Sequence, residues 1–467
     1  MLDSYNQKLE DQLATRFAGK LLLRQEIPLS QHHFQHLLSH GKFISKPSMI
    51  QQKFSHICQR CHNKKPSLIG EMPCASCKKT HIYCRKCINM GRVMPCEPLY
   101  YWSGKEPTWP CYNDPCTWEG KLTPDQNRAA IRIVEAIRTN EPELLIWAVT
   151  GAGKTEMLFP GITEALRTGR RVCIATPRAD VVRELLPRLK EAFEQVHIQG
   201  LYAGSKDHDG TAQLLISTTH QLLRYRQAFD VLIIDEIDAF PFHADDSLPF
   251  AAKRAQKEKS TTIYLTATPR ADQLIRINNN NLPHQFVPRR FHNHPLPVPQ
   301  LTISHNLQKH LHRNMPPPAF FTWFNERQHS TQSNRQLLIF VPTINLADKM
   351  ADSLMPFFKK FHMEARAVHA EDPNREEKVN RFRSKQLSVL ITTTILERGV
   401  TFPSVDVVVL DAGHDVFDEA ALVQISGRAG RSPDDPTGEV IFIHNGKTRA
   451  MVQAVKSIRT MNRRGEF

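Results

Sequence analysis

From Leu122 onward, short apolar runs alternate with helix-length segments, and this alternation determines the fold class of the chain. The runs ELLIWAV, RVCIATP, AQLLIST, DVLIIDE and TTIYLTAT each have the composition of one buried strand. The alternation returns after residue 320 with QLLIFVPT, ARAVHAE, LSVLITTT, VDVVVLDA and GEVIFIH. Parallel strands joined by crossover helices produce this pattern. The sequence therefore predicts two tandem α/β units, each built on a parallel sheet.

Two regions interrupt or precede this pattern. Residues 276–320 are rich in Asn and Pro and are predicted to be a linker or extended crossover between the units. Upstream of the first unit, Cys58 to Cys116 hold all the cysteines except Cys173. Cys173 lies in an apolar run and is predicted to be a small core residue.

Charge and composition narrow the class of partner and the compartment. The 467-residue chain has a formal net charge of +14 and a pI of about 9.3. This excess predicts a polyanionic partner, with nucleic acid the first candidate and an anionic membrane surface the second. An 18-residue apolar run and an apolar N-terminal signal are both lacking, so neither a membrane span nor secretion is expected. We expect a cytoplasmic protein, in which ten cysteines indicate metal ligands rather than disulfides.

A phosphate-binding loop is predicted where AVTGAGKTE follows the strand ELLIWA and precedes a helix. Gly151 and Gly153 let backbone N–H groups approach phosphate oxygens, and the helix N-terminus adds positive potential. Lys154 is expected to reach the β- and γ-phosphates of ATP, and the Thr155 hydroxyl to bind Mg²⁺. The strict pattern has Gly where this chain has Ala148.

Two further motifs complete a predicted ATPase centre. VLIIDEID is a buried strand that ends in Asp235, expected to hold Mg²⁺, and Glu236, expected to orient and deprotonate the attacking water. In the second unit, QISGRAGR places two arginines three residues apart on one helix face, where they can meet a γ-phosphate as arginine fingers. The predicted catalytic residues are Lys154, Asp235, Glu236, Arg428 and Arg431.

The order of these motifs resembles that of superfamily 2 helicases and translocases, over about residues 121–450. LTPDQ is similar to their adenine-reading motif, TAT to motif III, and ATPRADVV, STTHQLL, IFVPT and TTTILERGVTFPSVDVVVLD to the motifs Ia, Ib, IV and V that line a nucleic-acid track. The resemblance implies two RecA-like lobes, an ATP-binding lobe 1 over 121–285 and, with the Pro-rich connection, lobe 2 over 286–467. The predicted nucleotide-binding residues are Gln126, Thr150, Gly151, Ala152, Gly153, Lys154, Thr155 and Gln424.

The Cys-rich region, residues 51–120, is predicted to be a small zinc-binding module that follows an N-terminal segment, residues 1–50. Two Cys-x-x-Cys knuckles complete a tetrahedral Zn²⁺ site, and three such pairs occur: Cys58/Cys61, Cys74/Cys77 and Cys84/Cys87. Spacing leaves the pairing open, because the first pair can share a metal with either of the others. Cys96, Cys111 and Cys116 leave room for a second site but are spaced irregularly, and they are predicted to be free thiols.

A superfamily 2 motor preceded by CQRC, YCRKCINMGRV and WEGKLTPDQ, with RRFHNHPLPVP later, resembles the ComFA family of competence proteins. The resemblance implies one essential four-cysteine cluster, which CQRC and YCRKC match best, namely Cys58, Cys61, Cys84 and Cys87; Cys74 and Cys77 are then an additional pair. It also implies ATP-driven import of single-stranded transforming DNA, with a ComEC-like membrane channel and a ComFC-like partner. The protein is then expected in the cytoplasm, peripheral at the inner face of the cell membrane.

Other interpretations stay open at this point. A primosome-type replication-restart DNA helicase also combines this motor with cysteine knuckles, but there the knuckles fall between motor motifs. A DEAD-box RNA helicase fits less well, because motif II reads DEID and a zinc module is unusual. A non-catalytic zinc scaffold that only binds DNA would not need the full set of catalytic residues.

The basic residues around the last cysteine pair have three possible roles. Arg85, Lys86 and Arg92 can neutralise the charge of metal-bound thiolates, grip a DNA backbone, or dock a partner.

Overall fold

The N-terminal region of a computed structural model, which describes residues 2–53, 55–328 and 335–467, is built from two helices and three small antiparallel sheets. Strand β1 (Phe43–Lys46) pairs with strand β6 (Leu99–Trp102), so the segment before residue 50 and the end of the Cys-rich region share a sheet. Phe17, Phe34, Phe43 and Trp102 form its aromatic core. The elements are α1 (Leu2–Phe17), α2 (Gln31–Ser39), β1 (Phe43–Lys46), β2 (Met49–Gln51), β3 (His56–Cys58), β4 (Ile69–Pro73), β5 (Thr80–Cys84) and β6 (Leu99–Trp102).

Lobe 1 is a 7-stranded parallel sheet, and its central strands are apolar on both faces because helices cover both sides. The elements are α3 (Pro124–Thr139), β7 (Glu143–Ala148), α4 (Lys154–Arg167), β8 (Val172–Thr176), α5 (Ala179–Ala192), β9 (Ile198–Leu201), β10 (Leu214–Thr218), β11 (Phe229–Ile234), α6 (Ser247–Ala255), β12 (Gln256–Thr266), α7 (Ala271–Asn278) and β13 (His284–Val287). The strand order in the sheet is β13-β7-β12-β11-β8-β10-β9.

Lobe 2 is a 6-stranded parallel sheet. The elements are β14 (Gln300–Ile303), α8 (Leu307–Leu311), α9 (Pro318–Gln328), β15 (Gln336–Phe340), α10 (Ile344–Lys359), β16 (Ala365–Val368), α11 (Arg375–Arg383), β17 (Val389–Thr392), β18 (Val405–Leu410), α12 (Glu419–Ser426), β19 (Val440–His444) and α13 (Arg449–Arg464). The strand order in the sheet is β14-β19-β18-β15-β17-β16. The prediction of two tandem RecA-like lobes with parallel sheets behind a small Cys-rich module is confirmed.

The Asn- and Pro-rich segment between the lobes is more than the linker that its composition predicts. It contributes β13 to the edge of the lobe 1 sheet and β14 to the edge of the lobe 2 sheet. Edge strands tolerate neighbouring prolines because one side of the strand has no ladder to complete. Strand β13 crosses residue 285, where the sequence predicted the end of lobe 1. The other domain boundaries stay predictions.

The Cys-rich module is anchored to lobe 1 by buried charged groups. The guanidinium of Arg60, fully buried, donates to both carboxylate oxygens of Glu26 at 2.8 Å, and Arg224 of lobe 1 donates to the same carboxylate at 2.7 Å. Arg254 on α6 donates to the backbone carbonyl of Gln59 at 3.1 Å. The ring of His62 stacks on the ring of Phe250, which also lies on α6. These contacts fix the position of the first cysteine knuckle relative to the motor.

Among the helices in the described ranges, none has the length and apolar character needed to cross a bilayer.

Candidate ATPase cleft and metal centre

The loop after β7 has the backbone that phosphate binding requires. Gly151 and Gly153 have φ angles of 78° and 70°, a region that glycine enters without strain. Helix α4 begins immediately afterwards at Lys154, so its N-terminal N–H groups point into the loop. A Cβ atom at Gly153 would lie 2.4 Å from Nε2 of Gln126, so this position also needs glycine for space.

Gln126 connects helix α3 to this loop. Its Oε1 accepts a hydrogen bond from the Thr123 N–H at 2.7 Å, which caps α3, and its Nε2 donates to the carbonyl of Ala152 at 2.8 Å. The predicted adenine-reading residue therefore lies against the phosphate-binding loop and is 96% buried, with 4% exposed.

Asp235 and Glu236 follow β11, and their backbone and electrostatics set them apart from ordinary turn residues. Burial, reinforced by the charge of Glu236, raises the pKa of Asp235 to about 7. Burial also lowers the pKa of Lys154, and Asp235 opposes that change. Glu236 has a φ of 55°, a left-handed conformation that is unfavourable for a non-glycine residue. Its Oε2 is buried and has no hydrogen-bond partner among the described residues.

The two arginines of QISGRAGR lie in the turn that follows α12, not on the helix face that their spacing predicts, because the helix ends at Ser426; their environments also differ. Arg428 is 2% exposed, and it donates from Nε at 2.9 Å and from Nη2 at 2.7 Å to the carbonyl of Glu397. Its Nη1 donates to the carbonyl of Val400. Arg431 is half-buried and makes longer contacts, to the Gly427 carbonyl at 3.1 Å and the Thr401 hydroxyl at 3.4 Å. Arg428 is therefore held by backbone carbonyls, whereas Arg431 has the looser contacts.

A cleft of about 580 Å³ between the lobes brings all the predicted ATPase residues together. Lobe 1 contributes the phosphate-binding loop and the acidic pair, and lobe 2 contributes the arginines. The predicted residues that line it are Gln126, Thr150, Gly151, Ala152, Gly153, Lys154, Thr155, Asp235, Glu236, Gln424, Arg428 and Arg431. The fold implies ATP and Mg²⁺, and amide groups, a lysine and carboxylates in one cleft suit a magnesium nucleotide.

Arg290, which sequence reasoning missed, connects this loop to the arginine segment. Its guanidinium is 1% exposed and donates to the carbonyls of Gly427 at 3.0 Å, Ala429 at 2.8 Å and Gly430 at 2.6 Å, all in lobe 2. Its Nε lies 3.4 Å from the carbonyl of Thr150 in lobe 1. The segment RRFHNHPLPVP does not show that Arg290 bridges the lobes. Its partners are about 140 residues away in the chain, and all of them are backbone atoms.

A second link between the lobes also escaped sequence reasoning. Asp238, the last residue of DEID, accepts hydrogen bonds from the hydroxyls of Thr266 at 2.7 Å and Thr268 at 2.6 Å. It also forms a buried salt bridge with Arg398 of lobe 2, with an N–O distance of 2.5 Å. Burial alone would raise the pKa of Asp238, but Arg398 and the two hydroxyls outweigh burial, so the pKa lies below its usual value. The carboxylate thus joins motifs II, III and V.

Four of the predicted metal ligands form a compact buried cluster. The Sγ atoms of Cys58 and Cys87 are 3.8 Å apart and those of Cys61 and Cys84 are 3.5 Å apart, and all four lie within 4.8 Å of one another. Zinc–sulfur bonds of about 2.3 Å in a tetrahedron place sulfurs about 3.8 Å apart, so these residues fit Zn²⁺. The structure thereby favours the pairing of CQRC with YCRKC that spacing alone left open.

The third pair, Cys74 and Cys77, lies apart from that cluster and has a different neighbour. Cys96, which was predicted to be free, lies with them, and the three Sγ atoms are within 4.8 Å of one another. The structure brings Cys96 to the tip of the β4–β5 hairpin, and that it is a free thiol stays a prediction. Within the described residues, Cys111 and Cys116 join neither group.

The basic residues of YCRKCINMGR have separate surroundings. Lys86 forms a salt bridge with Asp245 of lobe 1. Arg85 and Arg92 are exposed. Lys86 therefore contributes to the docking of the module, while the two arginines face solvent.

Known proteins resemble this chain both in its N-terminal region and in its two lobes. Family models match residues 6–101 (competence protein ComFA N-terminal domain), 119–271 (type III restriction enzyme, res subunit) and 322–433 (helicase conserved C-terminal domain). Competence protein ComFA of Bacillus subtilis is 45% identical over 98% of this chain and 96% of its own length. Competence protein ComFA of Streptococcus pneumoniae is 38% identical over 89% and 93%.

Among solved structures, S. cerevisiae Dbp5 bound to RNA and ADP BeF3 superposes with a TM-score of 0.51 at 18% identity, over 73% of this chain and 91% of that one. This likeness shows the fold of the two lobes. The two helicase-type domain matches and the ComFA relatives identify the chain as an ATPase of the superfamily 2 helicase and translocase type. The identity to the two ComFA relatives extends over nearly the whole chain and therefore shows the family: the chain belongs to the ComFA family of competence proteins.

Proposed function

We propose that this protein is an ATP-driven single-stranded DNA translocase that powers the import of transforming DNA during competence. The observation that carries the proposal is the interlobe cleft, in which the phosphate-binding loop, the acidic pair and the arginines meet. Its relatives are named competence protein ComFA, which supplies the biological setting.

In the proposed mechanism, hydrolysis depends on groups from both lobes. The loop amides and Lys154 hold the phosphates of ATP, and Thr155 and Asp235 are the residues that would hold Mg²⁺. Glu236 orients and deprotonates the attacking water, and its buried Oε2, which finds no hydrogen-bond partner in the described part of the chain, is suited to this role. Arg431 stabilises the charge that develops on the γ-phosphate, and Arg428 holds the backbone of motif V in place beside it.

The proposed path of the DNA runs past the Cys-rich module. A second cleft, of about 820 Å³, lies between the N-terminal region and lobe 1. Motif Ia contributes Pro177, motif Ib contributes His220, and the N-terminal region contributes Arg16 and Lys86. Basic side chains beside these two motifs, together with a net charge of +14, suit the binding of a phosphate backbone with little base preference.

The proposed partners follow from the family. The motor acts at the cytoplasmic face of the cell membrane as a peripheral protein, next to a ComEC-like DNA channel and with a ComFC-like partner. Neither the replication-restart helicase nor the non-catalytic scaffold is better supported. The cysteine knuckles precede motif I, and the catalytic set is complete.

The test is transformation of competent cells that carry Lys154→Ala, with DNA bound outside the cell and DNA taken inside measured separately. We expect normal external binding and a large loss of uptake, because binding at the surface does not need hydrolysis. Lys190→Ala, which alters an exposed lysine of α5 outside the cleft, is the matched control. Normal uptake in Lys154→Ala cells that make the variant at wild-type levels would refute the proposal.

A further inference from the structure

We propose that Cys74, Cys77, Cys96 and His81 form a second zinc site, separate from the four-cysteine cluster, at the tip of the β4–β5 hairpin. The site would hold Zn²⁺ through three thiolates and one imidazole, a common ligand set for structural zinc.

The distances between the ligand atoms support this assignment. The Sγ atoms of Cys74 and Cys96 are 3.8 Å apart, the separation expected for two sulfurs on one tetrahedral zinc. The third sulfur, of Cys77, lies within 4.8 Å of both. His81 Nε2 is 3.0 Å from the Cys77 Sγ but is not within 4.8 Å of all three sulfurs, so the imidazole borders the cluster and has to move closer to complete the four ligands.

The backbone of the Cys74–Cys77 turn matches that of the first knuckle. In the first knuckle, His62 has a φ of 60° and its N–H donates to the Cys58 carbonyl at 2.8 Å. In the second, Lys78 has a φ of 57° and its N–H donates to the Cys74 carbonyl at 2.9 Å. The closing bonds also correspond, since the Cys58 N–H donates at 3.1 Å and the Cys74 N–H at 2.9 Å to the carbonyl five residues later.

This agreement matters because the left-handed conformation is uncommon for residues other than glycine. The same turn occurs twice, each time with the left-handed residue directly after the second cysteine of a Cys-x-x-Cys pair. In each turn the two sulfurs of the pair are arranged for one metal. The first turn contributes to a cluster that fits zinc, and the second has the same form.

The fourth ligand and the third cysteine come from different segments, as a folding metal site requires. His81 lies on β5 opposite Met72 of β4, one residue pair from the hairpin loop. Cys96 comes from the segment before β6, where the carbonyl of Met94 accepts a hydrogen bond from the Ser48 hydroxyl. The hairpin would then be held at both ends, by Cys84 of the first cluster at its base and by the second site at its tip.

The surroundings of the tip explain what the metal would supply. Cys77 and Cys96 are exposed and Cys74 is half-buried, whereas the four cysteines of the first cluster are buried in a hydrophobic core. A tip without its own core gains stability from metal coordination, as in other small metal modules.

The test is the zinc content of the purified full-length chain. We expect two zinc ions per chain in the wild type and one in Cys96→Ser. Cys111→Ser, which alters another exposed cysteine, should keep two. His81→Ala should release one of the two zincs to a chromogenic chelator at least about tenfold faster.

The cobalt-substituted wild type gives a second measurement that needs no variant. We expect two tetrahedral cobalt equivalents with different visible spectra, because a nitrogen ligand changes the ligand field of one site. One metal per chain in the wild type would overturn the proposal, as would an unchanged content in Cys96→Ser. Loss of two titratable thiols in a one-zinc protein would instead identify a disulfide between Cys74 and Cys96.

Discussion

Gly427 offers a substitution that acts on the contact between the lobes and leaves each lobe intact. Its φ and ψ are −68° and −2°, ordinary helical values, so alanine fits lobe 2 without backbone strain. A Cβ atom there would lie 2.6 Å from Thr150 Cβ and 2.0 Å from Thr150 Oγ1 in lobe 1. A different rotamer of Thr150 moves the hydroxyl but not the Cβ atom, so the lobes must separate to accommodate the substitution.

The size of the effect follows from that distance. Carbon atoms in contact lie about 3.5–4.0 Å apart, so Gly427→Ala opens the cleft by roughly 1 Å. A displacement of that size between reacting groups costs about 100-fold in rate, which corresponds to about 2.7 kcal/mol in the activation free energy. The thermal midpoint should stay the same or rise slightly, because alanine at a helical position lowers the entropy of the unfolded chain.

The assay is steady-state ATP hydrolysis with single-stranded DNA, measured beside thermal unfolding. We expect kcat to fall about 100-fold with little change in the KM for ATP, because the phosphate-binding loop itself is unchanged. Gly446→Ala is the matched control, since a Cβ atom there meets no atom within 4 Å. Adding Thr150→Gly to Gly427→Ala should restore part of the rate. Normal kcat in Gly427→Ala, or a loss that follows a lower thermal midpoint, would refute the reasoning.

Three further predictions concern the Asp238–Arg398 salt bridge, the four-cysteine cluster and the DNA-binding cleft. Asp238→Asn weakens the salt bridge to Arg398 and should lower kcat while ATP binding, measured with a fluorescent analogue, persists; unchanged kcat would show that the link is not needed. Cys84→Ser removes a ligand of the first cluster and should lower both zinc content and the thermal midpoint; full zinc content would contradict the cluster. Affinity for single-stranded DNA should fall steeply with salt, and Arg16→Ala should make the log–log slope shallower by about 1; a slope that does not change would exclude Arg16 from the track.

The local parts of the site were predictable from the sequence. The phosphate-binding loop, the acidic pair and QISGRAGR are each short segments whose chemistry depends on neighbours in the chain. Their order also indicated that two lobes meet, and the structure brings the predicted residues to one cleft. The strands before Asp235 and Lys154 were visible as apolar runs because parallel strands are buried on both faces.

The long-range contacts were not predictable in the same way. Arg290 binds backbone carbonyls in lobe 2, and because every residue has a carbonyl, the residue types do not indicate these partners. Arg398 reaches Asp238 across 160 residues, so neither residue type nor spacing pointed to the pair. Cys96 looked isolated because its partners depend on how the chain reverses after the first cluster, and three-dimensional proximity rather than spacing assigns it to a group.

The most direct test of the central claim is the ATP hydrolysis rate of the purified protein with no nucleic acid, with single-stranded DNA and with RNA of the same length and base order. We expect strong stimulation by DNA, little by RNA, and loss of the stimulated rate by about 100-fold or more in Arg431→Ala with DNA binding retained. Absence of hydrolysis in the wild type would support a scaffold instead. An Arg431→Ala protein with normal turnover would contradict an ATPase centre shared between the two lobes.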